Sequence, residues 1–180
     1  MNKGLILGGA VMAAAVASAF VTSGLNKGER VSPFHPKHVA GALKGTDTCF
    51  PCTYQNRPQV QAWVTDGDHK SVHAFAATLD KAMSKYANKE FKAMVVIVAP
   101  EAQSKTIEAA APQLNKEFKH VSISYLSPSN PAVKAYKINT AAKNTIVSYK
   151  NWVVADKLVD VKADEAGLAS LAKIADAIVK

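Results

Sequence analysis

The chain has 180 residues, of which 48% are hydrophobic, and it carries a formal net charge of +8 at pH 7. The mean hydropathy of -0.01 is ordinary for a globular chain, and the length suffices for one domain with a sizeable core. A basic chain suggests nucleic acid or an anionic membrane as a partner, but the lysines are spread singly and Arg30 and Arg57 are the only arginines. This distribution predicts a solvated surface, and no nucleic-acid partner is expected.

The first residues are typical of an export signal. Lys3 supplies a positive start, residues 4–21 are apolar apart from Ser18, and Ala17-Ser18-Ala19 has the small-x-small form of a cleavage site. We therefore predict that residues 1–25 are a signal peptide or N-terminal anchor, and that a cleaved chain begins near Phe20. The protein is expected to be periplasmic or secreted. A membrane contact is expected only if the apolar run stays uncleaved.

Residues 26–57 are predicted to be a loop-rich extension, because Gly, Pro, Thr and His are frequent there and neither helical nor strand periodicity persists. This extension carries the only two cysteines of the chain, in the sequence Cys49-Phe50-Pro51-Cys52. After Pro58 the pattern changes, and residues 58–180 are expected to form the folded domain.

Residues 58–180 alternate between strand-like and helix-like patterns. Strands are predicted at about 60–64, 93–99, 121–126, 145–149 and 153–161, and helices at about 70–86, 104–118, 131–136 and from 164 onwards. Pro112 predicts a kink or an early break in the second helix. Alternating strands and helices indicate right-handed crossovers and a parallel core, and the last two strands indicate an antiparallel hairpin at one edge. The predicted fold class is therefore α/β.

This element order, together with the Cys49-x-x-Cys52 motif, resembles the thioredoxin fold. Three segments are similar to exported bacterial redoxin-domain proteins of the thioredoxin-like superfamily: His38-Val39-Ala40-Gly41, residues 45–52, and Asn56-Arg57-Pro58. The resemblance covers about residues 33–180. It implies a thioredoxin-like sandwich with a mixed central sheet and helices on both faces.

The cysteine pair is displaced relative to that family. In thioredoxins the CxxC follows the first core strand, and a cis-proline precedes a late strand opposite it. Here the loop after the first core strand, residues 65–69, has no cysteine, and the CxxC lies before that strand. Asn144 stands where the cis-proline is expected. Pro58 leaves room for about one helical turn after Cys52.

Two cysteines in an oxidising compartment are expected to form a disulfide with each other. Because so short a loop gains little chain-entropy stabilisation, reversible thiol-disulfide exchange through Cys49 and Cys52 becomes a hypothesis. By analogy with the family, Cys49 is expected to attack, and the partner is an unidentified protein or small-molecule thiol or disulfide. The alternative is a non-enzymatic binding or scaffold domain whose cysteines form a permanent clip. The sequence leaves open whether the chain is an enzyme.

A third hypothesis is metal binding by His35, His38, Cys49 and Cys52. Nitrogen and sulfur donors suit a closed tetrahedral zinc site, and copper accepts the same atoms. Oxidation of the thiols after export competes with this hypothesis. Haem attachment is not expected, because Thr53 follows Cys52 where a c-type site needs histidine. The exchange hypothesis requires no cofactor.

Overall fold

A six-stranded mixed sheet forms the centre of the computed structural model, which describes residues 21–65 and 67–180. Its strands lie in the order β1-β4-β3-β2-β5-β6. The strands are β1 (Lys37–Ala40), β2 (Gln59–Val64), β3 (Lys92–Val98), β4 (Ser122–Leu126), β5 (Asn144–Lys150) and β6 (Val153–Val159). The α-helices are α1 (Phe50–Tyr54), α2 (His69–Lys85), α3 (Ser104–Glu117), α4 (Pro131–Ala135) and α5 (Glu165–Ile178).

The direction of the strands defines two ends of the sheet. β3 is parallel to both of its neighbours, β2 and β4, whereas β5 is antiparallel to β2 and places Tyr149 opposite Gln59. We call the end near Gln59 and Lys92, where β2 and β3 begin, the N-terminal end of the sheet. The end near Val64 and Val98, where the same strands finish, is its C-terminal end. β6 and β1 are the edge strands and pair antiparallel with β5 and β4.

Helices cover both faces of the sheet, which confirms the predicted α/β sandwich. Successive side chains along each strand point to opposite faces of the sheet. On one face Ala62 and Val95 pack beneath α2, α3 and α5. Trp63 and Met94 point to the other face, where α1, α4 and the segment around Phe34 cover them. The continuous apolar run of β3 is explained by this arrangement, because the strand is buried on both faces.

The predicted strands and helices after Pro58 are present with small shifts at their ends, but the prediction of an early break at Pro112 is wrong. α3 continues through Pro112 to Glu117. A proline inside a helix removes only one backbone hydrogen bond, and Pro112 is at an exposed position. The residues after it are held in place, since the Asn115 amide donates to the Val39 carbonyl of β1 at 2.9 Å. Tertiary contacts therefore keep the second half of α3 helical.

The predicted export segment lies mainly outside the described residues, as does its cleavage site at residues 17–19. Within residues 21–65 and 67–180, no helix is long and apolar enough to cross a membrane. The chain is already packed against the domain at Ser23, whose hydroxyl lies 2.6 Å from that of Thr145. The loop-rich extension contributes α1 and also β1, which pairs with β4 of the sheet.

Candidate redox site

Cys49 and Cys52 form a disulfide at the start of α1, as predicted. Cys49 is the N-cap of this helix, and its sulfur accepts a hydrogen bond from the backbone N–H of Cys52 at 3.2 Å. Cys49 is only 4% exposed, whereas Cys52 is half-buried. An approaching thiol therefore reaches Cys52 more readily than Cys49.

Local sequence explains why a single helical turn forms around the cysteines. Pro51 lies in the first turn, where its missing N–H costs no helical hydrogen bond and its fixed φ suits the helix. Phe50 is 1% exposed and anchors the turn beneath the sheet, with its ring centroid 4.8 Å from that of Tyr54. The hydroxyl and the N–H of Thr53 both donate to the Cys49 carbonyl at 3.0 Å. The helix ends at Tyr54, and Gln55, which caps it, has a φ of 49°.

His38 fixes the residue that precedes Cys49. Its Nε2 donates to the Thr48 carbonyl at 2.9 Å, because a carbonyl oxygen only accepts, and its Nδ1 lies 2.9 Å from the Ser122 hydroxyl of β4. In the neutral ring Nδ1 accepts from that hydroxyl. Burial lowers the pKa of His38 below its usual 6.5, although the Thr48 carbonyl and Asp47 act in the opposite direction. His38 thus connects the cysteine loop to the sheet.

A buried polar chain fixes the other end of α1. The Gln59 amide donates to the Gln55 carbonyl at 2.9 Å, and its Oε1 accepts from the Tyr149 hydroxyl at 2.7 Å. The same hydroxyl accepts from the Gln61 amide at 2.7 Å, and the Gln61 Oε1 accepts from the indole of Trp63 at 3.2 Å. Burial raises the pKa of Tyr149 well above its ordinary value, so its hydroxyl remains a donor. Both ends of the cysteine turn are therefore held by buried hydrogen bonds.

The two histidines of the metal hypothesis contact carbonyl groups near Cys49 rather than its sulfur. His35 Nδ1 lies 3.0 Å from the Asp47 carbonyl, and His38 bonds to the neighbouring Thr48. Over the part of the chain that the structure describes, no group of three His, Cys, Asp or Glu side chains could hold a metal ion. The sulfurs of Cys49 and Cys52 are bonded to each other here. Metal binding therefore stays a prediction about the reduced protein.

The C-terminal end of the sheet carries no cysteine, in agreement with the displaced motif. Asp68 caps α2 there, accepting from the N–H groups of Lys70 and Ser71. Asn144 is the first residue of β5, one residue earlier than the predicted start of this strand, and all peptide bonds of the described residues are trans. The side-chain NH2 of Asn144 donates to the Val161 carbonyl at 2.9 Å, and its side-chain oxygen accepts from the Val161 N–H at 3.0 Å. The side chain of Asn144 thus joins β5 to the chain beyond β6.

A cavity of about 720 Å³ lies beside the loop that precedes the disulfide, between β1 and α3. Lys37, His38, Asp47 and Tyr125 are among its lining residues. The Tyr125 hydroxyl donates to Glu108. Burial, followed by that hydrogen bond, raises the pKa of Tyr125 to about 12. Tyr125 is therefore a hydrogen-bond donor at neutral pH and not a base.

Sequence reasoning identified the cysteines but missed the residues that hold them. His38 was considered as a metal ligand, not as a support for the Thr48 carbonyl. Gln59 and Gln61 were not predicted as part of the site. Their signal was available, because polar residues in a strand buried on both faces require internal partners.

Comparisons with known proteins establish the fold. No family model matches the sequence, and no curated protein matches it significantly. Among solved structures, the chain is similar to a candidate thiol:disulfide interchange protein DsbE from Chlorobium tepidum, with a TM-score of 0.64 and 13% identity over 87% of this chain and 99% of that one.

Two further structures share the architecture. The thioredoxin domain of a thiol-disulfide oxidoreductase from Bacteroides vulgatus has a TM-score of 0.60 and 15% identity, over 87% of this chain and 99% of that chain. A thiol peroxidase from Chromobacterium violaceum has a TM-score of 0.59 and 11% identity, over 87% of this chain and 90% of that chain. At these identities the likeness shows the fold and not the reaction. The chain therefore has the thioredoxin-like fold, with its CxxC at the N-terminal end of the sheet.

Proposed function

We propose that this protein is an exported thiol-disulfide exchange protein that works through Cys49 and Cys52. The observation that carries the proposal is the hydrogen bond from the Cys52 N–H to the Cys49 sulfur at 3.2 Å. A thiolate released from Cys49 keeps this donor, and hydrogen bonds to the charged form of a thiol favour it. The names of the structural neighbours, an oxidoreductase and a peroxidase among them, agree with a redox role.

The difference in exposure supports different roles for the two sulfurs. A partner thiolate attacks the sulfur of the half-buried Cys52, the new bond forms there, and the bond to Cys49 breaks. Cys49 leaves with the electron pair as a thiolate. A second thiolate of the partner then attacks the partner's sulfur in the mixed disulfide and displaces Cys52, so that the partner is oxidised and both cysteines are reduced. In the reverse direction, Cys52 attacks a partner disulfide, and Cys49 resolves the mixed disulfide. This order differs from the expectation by analogy that Cys49 attacks.

The reduction potential of the pair tests the proposal. The protein is equilibrated in graded glutathione buffers, and its alkylated thiols are counted by mass. A potential of about -120 to -270 mV is the range of exchange proteins and would support the proposal, whereas a potential below about -300 mV marks a structural bond and would leave the scaffold alternative. A protein with both cysteines replaced by serine supplies the second criterion. An unchanged melting temperature supports exchange, and a large loss of stability supports a clip.

Single substitutions test the roles of the two sulfurs. Cys49→Ser leaves only the half-buried Cys52, and Cys52→Ser leaves only the buried Cys49. We expect the Cys49→Ser protein to react faster with an aromatic disulfide reagent. A faster reaction of the Cys52→Ser protein would instead support attack by Cys49.

The proposed site of action is an oxidising compartment outside the cytoplasm, periplasmic or extracellular. The sequence pattern of residues 1–20 supports it, because it has the charge, apolar run and small residues of a cleaved signal. Expression of the full chain, followed by N-terminal sequencing of the exported product, tests this part. A start near Phe20 is the expected result.

A further inference from the structure

A basic cavity lies beside α1 at the N-terminal end of the sheet. Its volume is about 540 Å³, and its walls come from the end of α1, the turn after α2, and the ends of β5 and α5. Of the described residues that line it, Arg57, Lys89, Lys150 and Lys180 are cationic and Glu90 alone is acidic. Glu90 already accepts from Arg57 at 3.0 Å. The exposed Lys89 and Lys150 therefore give the cavity an excess of positive charge.

The wall of this cavity begins at the end of the helical turn that carries the reactive pair. Gln55, in the wall of the cavity, follows Cys52 by three residues, which is about 5 Å along a helix axis. Tyr54 is on the same helix as Cys52, and the Lys92 ammonium of β3 lies 5.4 Å from the centre of its ring. The basic surface thus continues from the cavity onto the turn that carries Cys52.

We propose that this cavity docks an acidic peptide segment that flanks the reactive cysteine of the exchange partner. Carboxylates pair well with Lys and Arg, and complementary charge raises the rate of encounter and selects the partner more than it strengthens the complex. The lysines are exposed, so the effect should depend on ionic strength. This inference rests on the proposed exchange function, because the docked segment delivers its thiolate to Cys52.

Short synthetic peptides with one central cysteine, flanked by Glu, Gln or Lys, provide the test. The initial rate of mixed-disulfide formation with the oxidised protein is measured by mass spectrometry after acid quench. Flanking charge also changes the intrinsic reactivity of a peptide thiol, so each rate is expressed as a ratio of wild type to variant for the same peptide. At low salt, we expect Lys89→Glu/Lys150→Glu to slow the Glu peptide about fivefold or more, and to leave the Gln peptide within about twofold. In about 1 M salt the difference should disappear, because the Debye length is then about 3 Å.

A matched control keeps the total charge equal. Lys70→Glu/Lys105→Glu makes the same charge change at the first turns of α2 and α3, which follow the C-terminal ends of β2 and β3. We expect this control to exchange with the Glu peptide like wild type. Equal slowing by both double variants would refute the proposal, because net charge and not the cavity would then govern the rate.

The peptides also separate the two proposals. If the Gln peptide reacts and charge has no effect, the docking inference fails and the exchange function stands. If the oxidised protein reacts with none of the peptides, the exchange function fails, and the docking inference fails with it.

Discussion

Replacement of His38 by alanine should destabilise the oxidised protein by about 2–4 kcal/mol. His38 is 3% exposed, and its imidazole makes the hydrogen bond at the Thr48 carbonyl. Its removal leaves that acceptor without this partner, at a cost of about 1–3 kcal/mol. The lost packing of a buried ring adds about 1 kcal/mol. Ser122 limits the damage, because its hydroxyl can turn to the Ala40 carbonyl 3.4 Å away.

Urea unfolding at neutral pH, with the disulfide intact, measures this loss. His35→Ala is the matched control, since His35 is exposed and also bonds to a carbonyl of the same loop. An exposed substitution of this kind should change the free energy of unfolding by less than about 0.5 kcal/mol. Equal effects of the two substitutions would refute the argument that burial makes the His38 bond important. Hydrogen exchange at residues 46–48 gives a second readout, and it should quicken only in His38→Ala.

Two further predictions concern the buried polar groups. Tyr149→Phe removes the hydroxyl that Gln59 and Gln61 share, so the free energy of unfolding, measured in urea, should fall by about 2 kcal/mol or more. The control is Tyr54→Phe at a half-buried residue of α1, which should cost less than about 0.5 kcal/mol. The second prediction follows from the lowered pKa of His38, because the unfolded chain takes up the proton first as the pH falls. The stabilisation is therefore complete above the unfolded pKa of 6.5 and is lost as the pH falls below it. The difference in free energy of unfolding between wild type and His38→Gln should then shrink from about pH 8 to about pH 5. A difference that stays constant over this range would contradict a lowered pKa of His38.

The sequence predicted those parts of the fold that have a strong local pattern. The strand predicted at about 93–99, which is β3, and the helix predicted at about 131–136, which is α4, are examples, and both are confirmed. The displaced cysteine pair was also predictable, because it depends only on the order of residues along the chain. β1 was not predictable, since its four residues gain their structure by pairing with β4, more than 80 residues away.

The distant partners of the residues that support the site were unpredictable for the same reason. The partners of His38 and Gln59 include Ser122 and Tyr149, at sequence separations of 84 and 90 residues. No local pattern encodes such contacts. Pro112 shows the opposite failure, in which a strong local signal is overridden by packing of the helix that contains it.

At the C-terminal end of the sheet, backbone groups next to Asn144 are already hydrogen-bonded within the chain, and this affects how a peptide could be recognised there. The Lys143 N–H donates to Asp160 at 2.6 Å, and the Lys143 carbonyl accepts from the Thr65 N–H at 3.0 Å. An extended peptide that adds as a strand needs such backbone groups as its own partners. At this position it would first have to break internal bonds, each worth about 1 kcal/mol. Strand addition beside Asn144 is therefore disfavoured by the chain's own hydrogen bonding, independently of the sequence of the incoming peptide.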